Sequence, residues 1–440
     1  MTKLQIPYGS KLIGIDIEGR LLAPKSSKSK TKPKKHGVIK HALQNPIGTK
    51  KLREIVDRKK DVKIVIVVDD HTREAPTVKM LDALTEEIGE EHKDKLPRQV
   101  TLLVACGTHT APNEEDLKRI LGAYMDTYAS QFNLEIHDCD AKDLVFVGTT
   151  SRGTPVMLNR SYVEAAVKIL TGDITLHYYA GFGGGRKSIL PGISSRETIQ
   201  RNHALLLDDR AKTTNIKDNP VHLDMTEAAS FAPPDFVINT VADSAGNLVD
   251  AYAGEMNSVL LTGAEVMKKL SSLETDLFDI LVVSAGGFPK DRNLYQATKA
   301  IENCYRAVVP GGTLILVAEC REGIGDPYFE GWMNKYAAYK DAADAIRTNF
   351  VLGGHKAFYM KKTMRRVHLA IVSELDTQML NRWGITGYKS LHEALKKEIN
   401  FNEQLKIGIV KKGLDTLLVN VSSQENSNKL QITNHEIPRD

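Results

Sequence analysis

Apolar residues in this chain fall in short blocks separated by equally short polar ones. Ile64 to Val68 is an unbroken β-branched run of strand length, which predicts a strand covered on both faces. Asp69-Asp70-His71-Thr72-Arg73 follows, and the segment from Pro76 to about Glu91 then predicts a helix with Pro76 at its first position. The pattern repeats: Gln99 to Cys106 predicts a second strand, Gly107-Thr108-His109-Thr110 a turn, and Pro112 to Leu121 a helix. Apolar strands alternating with helices predict a mostly parallel, doubly covered sheet. Open α/β sheets bind ligands at the carboxyl ends of their strands, so these two polar turns are candidate site segments.

Beyond about Ser258 the pattern restarts. A helix to Ser271 precedes a strand from Asp279 to Ser284, Gly286-Gly287, a helix from Leu294 to about Val308, Pro310-Gly311-Gly312 and a strand from Thr313 to Ala318. The predicted architecture is α/β: two α/β domains, residues 1–265 and 266–440, with mostly parallel sheets and an active site in the cleft between them. The last stretch, Ser422 to Asp440, is polar and is expected to fray.

The charge balance changes this picture little. The net charge is +4, but six lysines lie between Lys25 and Lys35 with no acidic residue among them, and without them the chain is slightly acidic. That stretch carries no aromatic residue to stack on a base, so it reads as a solvated linker and no nucleic-acid partner is expected. No window holds the roughly 20 apolar residues of a membrane span, and residues 1–10 lack the apolar core of a secretory signal. The expectation is a cytoplasmic protein without a membrane partner. Cys106, Cys139, Cys304 and Cys320 form no CxxC pair, which suits buried thiols better than a disulfide framework or zinc site.

Chemistry concentrates in the run His177 to Gly192, which contains Gly183-Gly184-Gly185-Arg186-Lys187-Ser188. A P-loop is excluded, because Arg186 stands where its second glycine belongs and Pro191-Gly192 would break the following helix. Bare glycine backbone with Arg186, Lys187 and Ser188 still suits a nucleotide phosphate, and a surface glycine hairpin is the structural alternative. His109, His177 and His203 each flank a polar or glycine-rich turn without any HExxH spacing, and each read alone is a structural or exposed histidine as readily as a functional one. His71 is read as structural; Asp70 and Arg73 fit a cap and a surface charge as well as a site. In the second half, Asp291 or Asn293 caps the helix carrying Tyr295, Gln296 and Lys299, whose N-terminus favours an anion. Pro310-Gly311-Gly312 resembles a methyltransferase hairpin, but no Gly-x-Gly-x-Gly follows an early strand of that half.

Taken together, Asp70-His71-Thr72-Arg73, Gly107-Thr108-His109, the run His177 to Gly192, Asn202-His203, Asp218-Asn219-Pro220, Tyr295-Gln296 with Lys299, and Gly354-His355-Lys356-Ala357 resemble the nickel-pincer lactate racemase family. The resemblance implies two α/β domains and a pyridinium-3-thioamide-5-thiocarboxylic acid mononucleotide that grips nickel through sulfur. It implies that Lys187 carries this cofactor covalently, with Gly183, Gly184, Gly185, Arg186 and Ser188 around it, and that His203 is the protein's nickel ligand. His109 and His177 would be the acid/base pair, Asp70 would orient His109, and Arg73, Tyr295, Gln296 and Lys299 would hold or polarise the substrate. Cofactor-maturation proteins are the implied transient partners, and a small 2-hydroxy acid is the implied substrate.

The residue types suit that chemistry. The α-hydrogen of a 2-hydroxy acid is too weakly acidic beside a carboxylate for an imidazole base, whereas its loss as hydride to an electron-poor cofactor avoids a carbanion. Inversion needs return to the opposite face, hence two imidazoles. Lysine suits a covalent tether, and neutral imidazole suits nickel. One position departs from the family pattern: Thr110 follows His109 where many members have arginine, which bears on substrate choice more than on chemistry. A C2 epimerase of a sugar acid and a non-catalytic nucleotide- or nickel-binding module are the alternatives.

Overall fold

The computed structural model describes residues 4–15, 20–22, 37–59, 63–88, 100–126, 132–399 and 404–420. The lysine-rich stretch 25–35, the tail 422–440 and the last expected residues of the helix beginning at Pro76 lie outside them.

The chain forms two compact units, one of residues 28–269 and one uniting residues 1–27 with 270–440. The expected division at 265 therefore differs at the N-terminus. Strands β1 (Leu4–Tyr8) and β2 (Lys11–Ile15) form a hairpin whose Ile6, Tyr8 and Ile15 enter a core with Ile280, Val282 and Ile315. Strand β3 (Arg20–Leu22) is the edge of the second unit's sheet, pairing in parallel with residues 408–410. Burying three apolar side chains and completing an open sheet edge outweighs proximity along the chain.

The unit of residues 28–269 is built on β4 (Ile64–Asp69), β5 (Val100–Ala105), β6 (Asn133–Ile136), β7 (Val167–Asp173), β8 (Phe236–Ala242) and β9 (Leu248–Gly254), in the order β9-β8-β7-β4-β5-β6. All pairs are parallel except β8 with β9. Ile64, Ile66 and Val68 face a core shared with the helix α1 (Thr77–Ile88) and with Leu117, Ile120 and Leu121 of α2 (Glu114–Leu121). Helix α1 begins one residue later than expected: the Pro76 carbonyl accepts the first helical bond, from Met80 N. Helices α3 (Arg196–Ala204), α4 (Pro220–Ser230) and α5 (Met256–Ser271) follow.

The second unit has six parallel strands, β10 (Phe278–Ser284), β11 (Val308–Val317), β12 (His368–Val372), β13 (Thr386–Tyr388), β14 (Ile407–Val410) and β3, in the order β13-β12-β11-β10-β14-β3. Apolar cores cover both faces of this sheet. Its helices include α6 (Leu294–Cys304) and α7 (Gly354–Met364). Helix α6 stops at Cys304 rather than Val308, and β11 starts at Val308 and runs through Pro310-Gly311-Gly312, where a register shift against β10 accommodates the glycines. The α/β architecture with mostly parallel sheets is as the sequence predicts. Among the described residues, no helix is long and apolar enough to cross a membrane.

Candidate active site

In the parallel register of β4 and β5, Asp69 lies opposite Ala105, so the turns leaving both strands are neighbours. Asp70 is buried at the first turn, and its Oδ1 accepts from Thr72 N at 3.0 Å and Thr72 Oγ1 at 2.6 Å. At the second turn Gly107 has φ +52, its N–H donates to Gly192 O, and His109 N donates to Cys106 O. This aims the half-exposed His109 at Asp70, with Nδ1 2.6 Å from Oδ2. Burial alone pushes the Asp70 carboxyl up. The His109 hydrogen bond and charge, the Thr72 hydroxyl and Arg73 outweigh burial and hold it below the usual carboxylate range. The ionised carboxylate accepts from Nδ1–H, so neutral His109 carries its lone pair on Nε2.

Two of the three amides in the glycine run are engaged within the fold. Gly183 N donates to Thr175 O and Gly185 N to Asn239 Oδ1, so both backbone donors are already engaged. Gly184 has φ +81, and a Cβ there would lie 2.9 Å from Asp173 O. The glycines let the chain close tightly over the ends of β7 and β8. Arg186 is fully buried, and its guanidinium donates to the carbonyls of Ala180, Phe182 and Gly184. Burial lowers it to about 9. This corrects its expected role: Arg186 pins the loop from inside. Ser188 is also turned inward, its Oγ donating to Thr171 O.

Lys187, by contrast, emerges half-buried from a short 3-10 turn, Gly185–Ser188. Its Nζ lies 3.2 Å from His177 Nε2 and 5.9 Å from the Tyr179 ring centroid. His177 accepts at Nδ1 from Ala180 N at 3.2 Å and packs edge-on against Tyr179, with ring centroids 4.4 Å apart. Burial, then the charges of Lys187 and Arg73, hold His177 well below the usual imidazole range. Burial, then Arg73 and Arg186, lower the Lys187 amine well below its ordinary value.

Tyr179 links this group to His203, at a centroid distance of 5.2 Å. His203 is buried in the last turn of α3, a helix capped by Ser195, whose side chain accepts from Thr198 N. Asn202 Nδ2 donates to Val221 O and Asp224 Oδ2, which leaves Asn202 Oδ1 to accept from His203 Nδ1 at 3.1 Å. His203 is thereby held with its lone pair on Nε2, the form a metal ligand requires, its other nitrogen oriented by a hydrogen-bonded neighbour. A neutral imidazole nitrogen in this tautomer is a single donor that suits nickel.

Two carboxyls that sequence reading missed complete the site. Asp69 ends β4 and Asp173 ends the adjacent β7; burial raises both, and for Asp69 the charge of Asp173 adds to it against Arg73 and Lys187. Only their position at the ends of adjacent parallel strands brings the two carboxyls together.

In the second unit, Asn293 caps α6 by accepting from Gln296 N, which places Tyr295, Gln296 and Lys299 in its first two turns. Asp291 is not the cap; its Oδ2 accepts from Gly9 N and Glu319 N. Lys356, which the sequence reading gave no role, is buried under this helix, donates to Thr298 Oγ1 at 3.1 Å and lies 5.2 Å from the Tyr295 ring centroid. Burial and then Lys299 lower its amine to about 7.

Residues 8–215 match the family model for the Lactate racemase N-terminal domain, and residues 273–418 match that for the Lactate racemase C-terminal domain. The lactate racemase of Thermoanaerobacterium thermosaccharolyticum is 30% identical over 95% of this chain and 99% of its own length. The lactate racemase of Lactiplantibacillus plantarum is 30% identical over 95% of this chain and 100% of its own. The structure of the T. thermosaccharolyticum lactate racemase apoprotein superposes with a TM-score of 0.85 at 29% identity, covering 95% of this chain and 100% of that one. A Thermotoga maritima protein shares the fold at a TM-score of 0.62 and 18% identity, covering 87% of this chain and 97% of that one.

Proposed function

The chain belongs to the lactate racemase family, and we propose that it is an isomerase that interconverts the enantiomers of lactate or a close 2-hydroxy-acid analogue. The observation that carries this reading is the Asp70–His109 pair, in a unit that also holds His177 beside Lys187, with His203 fixed in a metal-binding tautomer.

In this reading His109 Nε2 takes the hydroxyl proton of one enantiomer, and the Asp70 carboxylate holds the ring and stabilises the imidazolium formed. When bound, the nickel-pincer nucleotide supplies an electron-poor acceptor for the substrate's α-hydride. Lys187 would carry that group covalently and His203 Nε2 would ligate its nickel. His177 would handle the hydroxyl proton of the opposite enantiomer once its ring has left both Lys187 and Ala180 N and presents a lone pair at Nε2. Arg73 would offset the substrate carboxylate or the developing alkoxide, and the family resemblance gives Tyr295, Gln296 and Lys299 of the second unit as further candidates to hold or polarise the substrate. The test incubates protein made alongside the cofactor-building enzymes with D-lactate and L-lactate separately and follows chirality. Both should converge on a racemic mixture, and optical purity unchanged from either side would refute the proposal.

A further inference from the structure

The hydrogen-bond partners of His177 fix the state of its neighbour before any cofactor is attached. An amide N–H is always a donor, and Ala180 N donates to His177 Nδ1 at 3.2 Å. Nδ1 must therefore present its lone pair, which excludes the imidazolium and places the single ring proton on Nε2. That proton points at Lys187 Nζ, 3.2 Å away. An ammonium has three donors and no acceptor, so it would set N–H against N–H here. A free amine has the lone pair this contact needs.

We infer that the unloaded chain holds Lys187 as an uncharged amine whose lone pair accepts the Nε2–H of His177, so that this lysine is a primed acylation site before the cofactor arrives. The inference concerns the state of the amine, and depends on the tether reading only for its purpose. The surroundings agree with it. Lys187 is faced by the cations Arg73, from the turn after β4, and Arg186, from its own turn, with the neutral His203 of α3 beyond the Tyr179 ring. The carboxyls on the facing strands are Asp69 and Asp173, both raised by burial; the Asp69 charge opposes the lowering of Lys187 but does not overcome burial, Arg73 and Arg186.

The same proton count says what acylation does. An acylated Nζ has its lone pair drawn into the new carbonyl and keeps only an N–H, so it can no longer accept from His177. The His177 ring must then leave that contact, and to act as a base at Nε2 it must leave Ala180 N as well, so that its proton can sit on Nδ1.

The experiment is brief labelling of the unloaded protein with acetyl N-hydroxysuccinimide ester, read lysine by lysine by peptide mass spectrometry between pH 7 and 9. In that reaction the Nζ lone pair forms a bond to the acetyl carbon, the N-hydroxysuccinimide anion departs, and the amine proton passes to water. An ordinary lysine is roughly 0.04% free base at pH 7, so unstructured lysine peptides added to the same sample should label about tenfold faster per pH unit. Lys187 should label at least tenfold faster than these at pH 7, with a rate flat in pH. A Lys187 rate that climbs in step with theirs overturns the inference.

Long-range 15N–1H spectra of histidine-labelled protein, with His177 assigned from a His177→Gln sample, give a reading that does not depend on reagent access. They should show a proton on Nε2, none on Nδ1, and a displaced signal after acetylation; a proton on Nδ1, or a signal indifferent to acetylation, overturns the inference. A flat labelling profile without any Lys187 adduct in protein matured alongside the cofactor-building enzymes keeps the amine assignment and removes the tether.

Discussion

Replacing Asp70 by asparagine tests the acid/base assignment with almost no change of volume. In the native site Oδ1 already accepts two hydrogen bonds from Thr72 and Oδ2 accepts one from His109. An asparagine has one oxygen for three donors. If that oxygen stays on Thr72, the amide NH2 faces Nδ1 and forces the imidazole proton onto Nε2, where it blocks the base. If the amide flips, NH2 opposes the Thr72 N–H, which cannot turn away, at a cost of about 1–3 kcal/mol for an unmet buried donor. The first arrangement is therefore preferred and His109 is held in the wrong tautomer. In another histidine–aspartate pair that error costs about 10⁴ in kcat, so a loss of about 10³–10⁴ is expected here, with KM changed far less. The assay is initial racemisation rates from each lactate enantiomer, with nickel content and the far-ultraviolet circular dichroism spectrum checked to show an intact, loaded protein. A folded, loaded Asp70→Asn variant within tenfold of the native kcat would refute the role given to the pair.

Asp70 also makes a pH prediction. Its folded value lies below its unfolded one, so its stabilisation is complete above about pH 4 and is lost as pH falls through the lowered value; urea midpoints should therefore drop less steeply on acidification in Asp70→Asn than in the native protein. His203→Ala should strip nickel from the matured protein while His71→Ala retains it, as read by elemental analysis, and equal losses would mean the ligand is misassigned. Gly184→Ala should destabilise the fold by about 2 kcal/mol or more in urea unfolding, because φ is +81 and the new Cβ meets a backbone oxygen.

Much of the fold was legible because Ile64 to Val68 and Gln99 to Cys106 are local signals: a β-branched run, a polar turn and a helix start. The N-terminal strands were not, since β3 pairs with residues nearly four hundred positions away and no local pattern encodes that partner. Within the site, the histidines and Lys187 were visible as chemistry-bearing residues beside turns. The inward turn of Arg186 was not legible, because a cation beside glycines looks the same in sequence whether its guanidinium faces a phosphate or, as here, three carbonyls of its own loop. Asp173 escaped notice, and Lys356 stood in a quoted motif without a role, because burial perturbs both and no local pattern reports burial.

The central claim is that the substrate's α-hydrogen leaves and returns as hydride without meeting solvent. The most direct measurement is the conversion of one lactate enantiomer carrying deuterium at C2, in ordinary water, with the inverted product separated by chiral chromatography and analysed by mass spectrometry. The account predicts that the inverted lactate retains its deuterium. Inverted product carrying hydrogen from water would contradict it, because that is the signature of proton abstraction by the histidines themselves.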